Sequence, residues 1–509
     1  MERGRDSGTG WETGGTGRDF AGRNLHSRYN PQAEAERYID ALALPGGLRY
    51  FILVEPGLGY TIPVLARRFP QARFFVLHAE DPRPFRPVYR ETERVSVWSP
   101  ESGIGPENFL EREIPDTRAS GLRILEWRPS LNYYGERYLK LLSAAAEFVR
   151  RSDANSRTAR SFGRRWFRNF LRNQRLLGSF PVFAELSLPA LIAGAGPSLE
   201  EAIPQIRAMG EGSCFVIAPS SSVMALAAGG LTPDLILSTD GGIWALLHLY
   251  ECLRRGTGGP GGTPVIAASL GAALPSQCGA FPLLPLSDGS LWQRLVLETL
   301  GIPHLALAQR GTVTASALDL AFALGAKEAC IAGMDLGLRD IRSHARPYSF
   351  DRLRAEGACR FRPEYSQAFT RSFGINGGGS HRIYAAWFKE RLQSWKGRLY
   401  TLGNNNPVFQ ELKVWGDRPE RPGQGRPGLR IVTRPVPDKP VRIAVNRLLA
   451  ALDDPQSAGL LYRELAPLLL PDFSPDSGPG LPPRDHDGIR ALAAEIAKLA
   501  RPYLERVHG

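Results

Sequence analysis

The sequence predicts an α/β protein with a central Rossmann-like parallel sheet, a smaller N-terminal α/β domain and a helical C-terminal region. Five short apolar runs are continuously hydrophobic, which is typical of parallel strands buried on both faces. These runs are residues 191–193, 215–218, 235–238, 265–268 and 329–332. A chain of 509 residues is also too long for one hydrophobic core, so several domains are expected.

Changes in composition along the chain predict six segments. Residues 1–24 are rich in glycine, serine and charge and are expected to be a disordered tail. Residues 25–130 carry a strand, a glycine turn, a helix and a second strand, which predicts the N-terminal α/β domain. The remaining segments are a helical connector over 131–179, the Rossmann-like catalytic domain over 180–415, a Pro/Gly-rich linker over 416–440 and a helical region over 441–509.

The bulk composition narrows the class of protein only slightly. The net charge of +12 suits anionic partners such as nucleotides, but it selects none of them. Five cysteines without a C-x-x-C pair indicate neither a zinc site nor a disulfide framework, so we expect a reducing compartment, the cytoplasm. No apolar run approaches the roughly 20 residues of a membrane helix, so no membrane span is expected.

The first strand of the predicted central sheet runs into a glycine-rich turn, Gly194-Ala195-Gly196-Pro197-Ser198-Leu199. The glycines permit a tight turn, and Pro197 suits the first turn of a helix because no amide donor is needed there. A strand, a glycine turn and a helix N-terminus together expose backbone N–H groups that can hold a phosphate. The turn lacks both the third glycine of the dinucleotide fingerprint and a P-loop lysine, so an ordinary strand-to-helix turn fits the spacing equally well.

Three further strand ends carry small, hydroxylated or acidic residues. Ser220 follows the second strand, Asp240 follows the third, and Gly333 and Asp335 follow the last. Any one of them is compatible with turn or capping chemistry. Because ligands of such sheets bind beyond the carboxyl ends of the strands, the four ends together predict a polar ligand pocket.

An arginine- and aromatic-rich segment, residues 164–172, lies in the helical connector. This composition is compatible with nucleic-acid binding. We favour the alternative, an amphipathic helix with solvated arginines and packed aromatic rings, and therefore predict no nucleic-acid partner.

With these motifs identified, the chain resembles the motility accessory factor family of flagellin glycosyltransferases. Its central domain is similar to the 6-hydroxymethylpterin diphosphokinase MptE-like domain and to the bacterial sialyltransferases that use CMP-sugars. The resemblance rests on the glycine turn, on residues 232–240 (TPDLILSTD) and on a block over 311–335 that ends in Gly333-Met334-Asp335. Further matches are residues 380–388 (SHRIYAAWF), 26–31 (HSRYNP) and 57–60 (GLGY).

The resemblance implies a transferase that moves a nonulosonic acid, of the pseudaminic or legionaminic type, from a CMP-activated donor. The implied acceptors are Ser or Thr hydroxyls of flagellin or another protein, and the reaction serves flagellar assembly and motility. By position, the glycine turn and Asp240 would contact the nucleotide sugar, Thr312 and Thr314 would line the cytidine pocket, and Gly333 would let the ligand approach. No cofactor is implied besides the donor, and the sialyltransferase-like mechanism needs no metal.

Two histidines are the candidate catalytic residues. Displacement of CMP needs a base for the acceptor hydroxyl and hydrogen-bond donors for the departing phosphate, and histidine suits the base. His381 resembles the sialyltransferase histidine in placement and is our first choice as base. His344 lies in the loop after Asp335, where those enzymes carry tyrosines that contact the phosphate, so we assign it to phosphate stabilisation, with the base as its alternative role. Either histidine is also compatible with a loop or packing role.

Two other functions fit the same motifs. One is pyrophosphate transfer from ATP to 6-hydroxymethylpterin, for which Asp240 and Asp335 would supply a magnesium-binding carboxylate pair. The great length of the chain and its N-terminal domain favour a macromolecular acceptor over a small pterin. The other is a non-catalytic nucleotide-binding protein that recruits a partner through its basic and C-terminal helices.

Overall fold

The structure is a computed structural model that describes most of the chain. The described residues are 25–46, 48–83, 87–114, 121–183, 186, 188–210, 212–254, 264–307, 312–339, 341–373, 384–385, 388–389, 391–403, 407–417, 429–433, 437–470 and 487–505. The predicted tail over 1–24 lies outside them.

The secondary structure comprises fourteen strands and fifteen α-helices within the described residues. The strands are β1 (Tyr50–Val54), β2 (Arg73–Leu77), β3 (Val95–Trp98), β4 (Leu122–Glu126), β5 (Ser179–Phe183), β6 (Ala190–Ala193), β7 (Phe215–Pro219), β8 (Leu235–Ser238), β9 (Val265–Ser269), β10 (Leu283–Ser287), β11 (Leu305–Ala306), β12 (Ala329–Ala332), β13 (Leu399–Thr401) and β14 (Leu429–Thr433). The helices are α1 (Pro31–Ala41), α2 (Thr61–Arg68), α3 (Pro106–Glu113), α4 (Arg128–Tyr134), α5 (Glu136–Asn173), α6 (Leu199–Ala208), α7 (Val223–Ala228), α8 (Leu246–Arg254), α9 (Leu291–Thr299), α10 (Val313–Ala323), α11 (Asp351–Glu356), α12 (Glu364–Phe373), α13 (Pro440–Asp453), α14 (Ala458–Leu469) and α15 (Asp487–Leu504).

The chain divides into two compact units at places that differ from the boundaries expected from sequence. The first unit comprises Met1–Gly163 and Asp454–Glu495, and the second comprises Arg164–Asp453 and Ile496–Gly509. The division falls inside α5, which belongs to the connector predicted over 131–179. The predicted C-terminal region over 441–509 is likewise shared, since α13 belongs to the second unit and α14 to the first.

The first unit is organised around a parallel sheet of four strands in the order β3-β2-β1-β4. Strand β1 is buried along its whole length, and alternate residues supply two different cores. Ile52 packs with Phe75 and Phe148 in one core, whereas Phe51 packs with Phe74 in the other. The strand, turn, helix and strand expected in residues 25–130 are therefore confirmed.

The second unit contains the large sheet, whose eight strands are all parallel in the order β11-β10-β9-β8-β7-β6-β12-β13. Strands β6, β8 and β12 are buried at every residue, as their continuous hydrophobicity predicts. Helix α10 covers part of one face of the sheet, against β6, β7, β8 and β12. The predicted fold class, with a central Rossmann-like parallel sheet, is confirmed.

Part of the predicted linker over 416–440 is a strand. Within it, β14 pairs antiparallel with β5, the strand that leads toward the large sheet, and Ile431 lies opposite Pro181. The β-branched residues Ile431, Val432 and Thr433 indicate this strand, but the surrounding proline and glycine obscured the signal in the sequence.

None of the helices in the described part of the chain is long and apolar enough to span a lipid bilayer.

The centre of the large sheet depends on a close approach between two glycines. Gly333 has φ of +64°, and a Cβ atom there would lie 2.3 Å from the carbonyl oxygen of Gly194. A Cβ at Gly194 would in turn lie 2.5 Å from the carbonyl oxygen of Gly333. Both separations are shorter than atoms tolerate, so the turns after β6 and β12 pack only when both residues lack a side chain.

We expect Gly333→Ala to destabilise the second unit more than Gly289→Ala. Gly289 also has positive φ, +87°, but a Cβ there meets nothing within 4 Å. Gly289→Ala should therefore cost only the strain of a left-handed backbone, about 1–2 kcal/mol, whereas Gly333→Ala should add about 1–3 kcal/mol for overpacking. Urea unfolding of both variants measures the difference, and equal losses of unfolding free energy would show that the close approach does not matter.

Candidate active site

The candidate site lies at the point where the strand order of the large sheet reverses. From β6 the chain adds β7 to β11 in one direction, whereas β12 pairs with the other side of β6 and β13 follows it. In open α/β sheets this switch point forms a crevice at the carboxyl ends of the strands, where ligands bind. The turns that carry Gly194 and Asp335 leave the two strands on either side of that point.

The glycine turn after β6 is occupied by the protein itself. The N–H groups of Gly194 and Gly196 donate to the carbonyl oxygens of Ala332 and Gly333, each at 2.8 Å. The N–H and the hydroxyl of Ser198 both donate to Oδ2 of Asp335, at 3.0 and 2.9 Å. These donors are the ones that the sequence predicted to be exposed for a phosphate. Instead, a carboxylate of this chain lies at the start of α6, where the helix dipole favours negative charge.

A second set of contacts fixes the loop that follows β12, which we call the β12 loop (residues 333–339 and 341–350). The N–H of Ala345 donates to the carbonyl oxygen of Ala195 at 2.9 Å. Oε1 of Glu200, in the first turn of α6, accepts from Nη1 of Arg342 at 2.9 Å and from the N–H of Arg346 at 2.8 Å. The β12 loop is thereby held against the glycine turn.

The same loop carries His344 into an aromatic cluster. Its ring stacks on Tyr348 with a centroid distance of 4.1 Å and an interplanar angle of 17°, and its Nδ1 lies 2.8 Å from the hydroxyl of Ser343. Tyr348 is only 5% exposed, and burial raises its pKa to about 12. Its phenol therefore stays protonated at neutral pH and can act as a hydrogen-bond donor.

His248, which the sequence analysis did not select, completes this cluster from the first turn of α8. Its ring lies 5.4 Å from that of Tyr348 and 5.0 Å from that of Phe350. Its Nδ1 forms a 3.0 Å hydrogen bond with the hydroxyl of Ser349. Burial lowers the pKa of His248 to about 4, although the carboxylate of Asp240 acts in the opposite direction. His248 is therefore neutral at pH 7.

The remaining predicted residues lie along the same edge of the sheet. Ser220 is the first residue after β7 and is buried, and Oδ1 of Asp240, after β8, accepts from the N–H of Gly242 at 2.7 Å. Thr312 caps α10 by accepting from the N–H of Ala315 at 2.9 Å, and Thr314 lies in the first turn. Because a crossover helix runs antiparallel to the strand that follows it, the start of α10 lies at the carboxyl edge as well.

The structure separates the two carboxylates that would form a magnesium site for pyrophosphate transfer. Asp240 follows β8 and Asp335 follows β12, which are three positions apart in the sheet. With about 4.8 Å between neighbouring strands, the strand ends are roughly 14 Å apart. Asp335 also accepts a hydrogen bond from the N–H of Ser198, in the turn after β6. Among the described residues, no three His, Cys, Asp or Glu side chains are grouped to hold a metal ion.

Helix α5 supports the loops after β8 and β9 from its C-terminal end. The side-chain amide of Asn169 donates to the carbonyl oxygens of Gly241 and Gly271, each at 3.0 Å. A Cβ at Gly241 would lie 2.3 Å from the ring of Trp166. Phe167 packs its ring at 5.9 Å from that of Trp292. The aromatic residues of the segment over 164–172 are thus packed, as the structural interpretation of that segment predicted.

A second glycine turn, Gly57-Leu58-Gly59, follows β1 in the first unit. Side chains from elsewhere in the protein occupy the space beside its two glycines. A Cβ at Gly57 would lie 2.5 Å from the ring of His26, and one at Gly59 would lie 2.4 Å from the ring of Tyr89. Nε2 of His26 accepts from the N–H of Leu58 at 2.9 Å. These glycines make room for side chains of the protein itself.

His381 lies outside the described residues, so its position relative to His344 stays a prediction. His248 could have been identified from the sequence, since it lies in the first turn of the helix that follows Asp240. The first turn of such a helix borders the ligand crevice of this fold.

Residues 164–340 match the family model described as "6-hydroxymethylpterin diphosphokinase MptE-like". The match covers about a third of the chain. The match contains the glycine turn, Asp240 and Asp335, and it ends before His344 and Tyr348.

Two curated relatives match the chain over part of its length. A protein of Treponema pallidum (strain Nichols), described as "Uncharacterized protein", is 27% identical over 293 residues, which cover 56% of this chain and 62% of the relative. The 6-hydroxymethyl-7,8-dihydropterin pyrophosphokinase of Methanothermobacter thermautotrophicus is 32% identical over 149 residues, which cover 29% of this chain and 57% of the relative. The chain thus spans about three fifths of the length of each.

Among solved structures, the MAf glycosyltransferase from Magnetospirillum magneticum AMB-1 is similar with a TM-score of 0.45 and 14% sequence identity. The similarity covers 95% of this chain and 88% of that chain.

The lowered pKa of His248 predicts a pH effect on stability. The ordinary histidine pKa is 6.5 and the folded value is about 4, so the unfolded chain binds more protons between these pH values. Acidification through this window therefore lowers the free energy of unfolding. In an NMR titration, ring protons assigned to His248 through the spectrum of His248→Phe should shift with a midpoint near pH 4. A midpoint near 6.5 would contradict the burial that lowers the pKa.

Proposed function

We propose that the chain is a glycosyltransferase that moves a nonulosonic acid, of the pseudaminic or legionaminic type, from a CMP-activated donor to Ser or Thr of flagellin or another protein. The observation that supports this most is the grouping of His344, Tyr348 and His248 at the carboxyl edge of an MptE-like sheet, beside its switch point. The motifs that resemble the motility accessory factors add to it. We keep the cytoplasm, expected from the cysteine content, as the place of this reaction.

In this proposal the acceptor hydroxyl attacks the anomeric carbon of the donor. The bond between that carbon and the phosphate oxygen breaks, and CMP leaves with the electron pair. A base removes the proton of the hydroxyl, and we assign this role to His381. His344 donates a hydrogen bond to the departing phosphate, and the Tyr348 ring that stacks on it holds the imidazole in place.

The occupied glycine turn changes the role that we assign to residues 194–199. Because Asp335 already accepts from Ser198, the phosphate of CMP is not expected at the start of α6. The close approach of Gly194 and Gly333 holds the two turns together, and the nucleoside is proposed to lie against the outer side of these turns. Ser220, Asp240, Thr312 and Thr314 are proposed to contact the rest of the nucleotide sugar.

Pyrophosphate transfer from ATP to a hydroxymethylpterin is a second candidate, which the 32% identity with the pyrophosphokinase of Methanothermobacter thermautotrophicus favours. Such a reaction needs a metal held by carboxylates close together. The separation between the β8 and β12 ends weighs against Asp240 and Asp335 in that role. We therefore rank it below sugar transfer.

Ligand-dependent stabilisation separates the two candidates. A nucleotide present at 100 times its Kd stabilises the folded protein by about 2.7 kcal/mol. CMP should raise the unfolding temperature of the second unit by several degrees, whereas ATP with magnesium should leave it unchanged. The reverse result in a thermal unfolding assay would reject sugar transfer and favour the pyrophosphokinase.

The role of His381 predicts a specific kinetic loss. His381→Ala should lower transfer to an acceptor peptide by about 10²- to 10⁴-fold, because general base catalysis contributes that much, and it should leave the Kd for CMP unchanged. A matched control is His304→Ala, since His304 precedes β11 and therefore lies at the amino edge of the sheet. Wild-type turnover in His381→Ala would remove His381 as the base.

A further inference from the structure

The β12 loop contacts two elements that follow different strands of the large sheet. It leaves β12, meets the turn after β6 through Ala345, and reaches α8, the helix after β8, through Ser349. Strands β6 and β7 lie between β12 and β8 in the sheet. The loop therefore connects the turn after β6 to the first turn of the helix that follows β8.

The near end of this loop is fixed by charge and backbone contacts. Asp335 accepts from Ser198, and Glu200 accepts from Arg342 and Arg346. All of these contacts are made with the turn after β6 or with the first turn of α6. They do not reach across β7.

The far end is held against α8 by a polar contact and by ring packing. The polar contact is the 3.0 Å hydrogen bond between Nδ1 of His248 and the hydroxyl of Ser349. The rings of Tyr348 and Phe350 flank the His248 ring and are 5.2 Å apart, at an angle of 85°. His248 thus links the far end of the β12 loop to α8 through both a hydrogen bond and ring packing.

We propose that His248 is a positioning residue, which holds the far end of the β12 loop so that Tyr348 and His344 stay in place at the carboxyl edge of the sheet. His248 acts through the loop and need not touch substrate. Its effect on turnover rests on the proposed sugar transfer, whereas its effect on the loop does not.

The geometry explains why histidine serves here better than a purely apolar ring. Phenylalanine would retain contact with Tyr348 and Phe350 but would leave the Ser349 hydroxyl without this partner. Asparagine would retain a polar group near the position of Nδ1 but would lose most of the ring packing. The two substitutions therefore separate the hydrogen bond from the packing.

Amide hydrogen exchange tests the positioning role without assuming any activity. In His248→Phe and in Ser349→Ala, peptides from residues 341–350 should exchange at least 10-fold faster than in the wild type, and the double variant should add little to either. His248→Asn should lie closer to the wild type than His248→Phe. The control His304→Phe should leave these peptides unchanged. Wild-type exchange in both His248→Phe and Ser349→Ala would overturn the proposal.

Kinetics then test the consequence for the reaction. With a CMP-activated donor, Ser349→Ala should lower kcat about 10-fold or more while KM for the donor changes less than 3-fold, and His248→Asn should recover part of the kcat lost in His248→Phe. Unchanged kcat in Ser349→Ala would overturn the link between loop position and turnover. A wild type that neither binds CMP nor transfers sugar would reject the proposed function, while hydrogen exchange would still decide the role of His248.

Discussion

The contact between the turns after β6 and β12 is the constraint on which the candidate site depends. Two glycines approach there more closely than any side chain allows, and Asp335 bridges the gap by accepting from both donors of Ser198. This carboxylate occupies the helix start that a phosphate would otherwise use. The two turns beside the candidate site are therefore held together by an anion of this chain, and we expect a ligand to contact the β12 loop and the ends of β7 and β8 instead.

Much of the fold could be predicted because a strand that is buried on both faces is apolar along its whole length. Strands β6, β8 and β12 are continuous apolar runs, and each lies within the buried centre of the parallel sheet. Strand β10 was not predicted, because Pro285 interrupts its run of apolar residues and proline normally argues against a strand. The division of the chain into two units at Gly163 was not predicted either. It falls within a continuous helix, whose local sequence does not mark a change of unit.

The candidate site was predictable at the level of strand ends but not of long-range contacts. The residues predicted from the ends of β6, β7, β8 and β12 all lie at the carboxyl edge of the sheet, and the ligand pocket expected there stays a prediction. The pairing of Ser198 with Asp335 joins positions far apart in the sequence, and so does the pairing of His248 with Ser349. Such pairs follow from which strands are neighbours, and the order of the strands cannot be read from local hydrophobicity.

The packing of Trp166 against Gly241 and Gly271 has a consequence for how this sequence can change over evolution. A side chain at Gly241 would lie 2.3 Å from the ring of Trp166 and 2.8 Å from the carbonyl oxygen of Gly271, and one at Gly271 would lie 2.9 Å from Cβ of Trp166. A smaller residue at position 166 alone therefore does not make room for a side chain at either glycine. Asn169 adds a second dependence, because its amide binds the carbonyl groups of the same two glycines. These four positions are expected to covary among homologues, although they lie in three separate stretches of the chain.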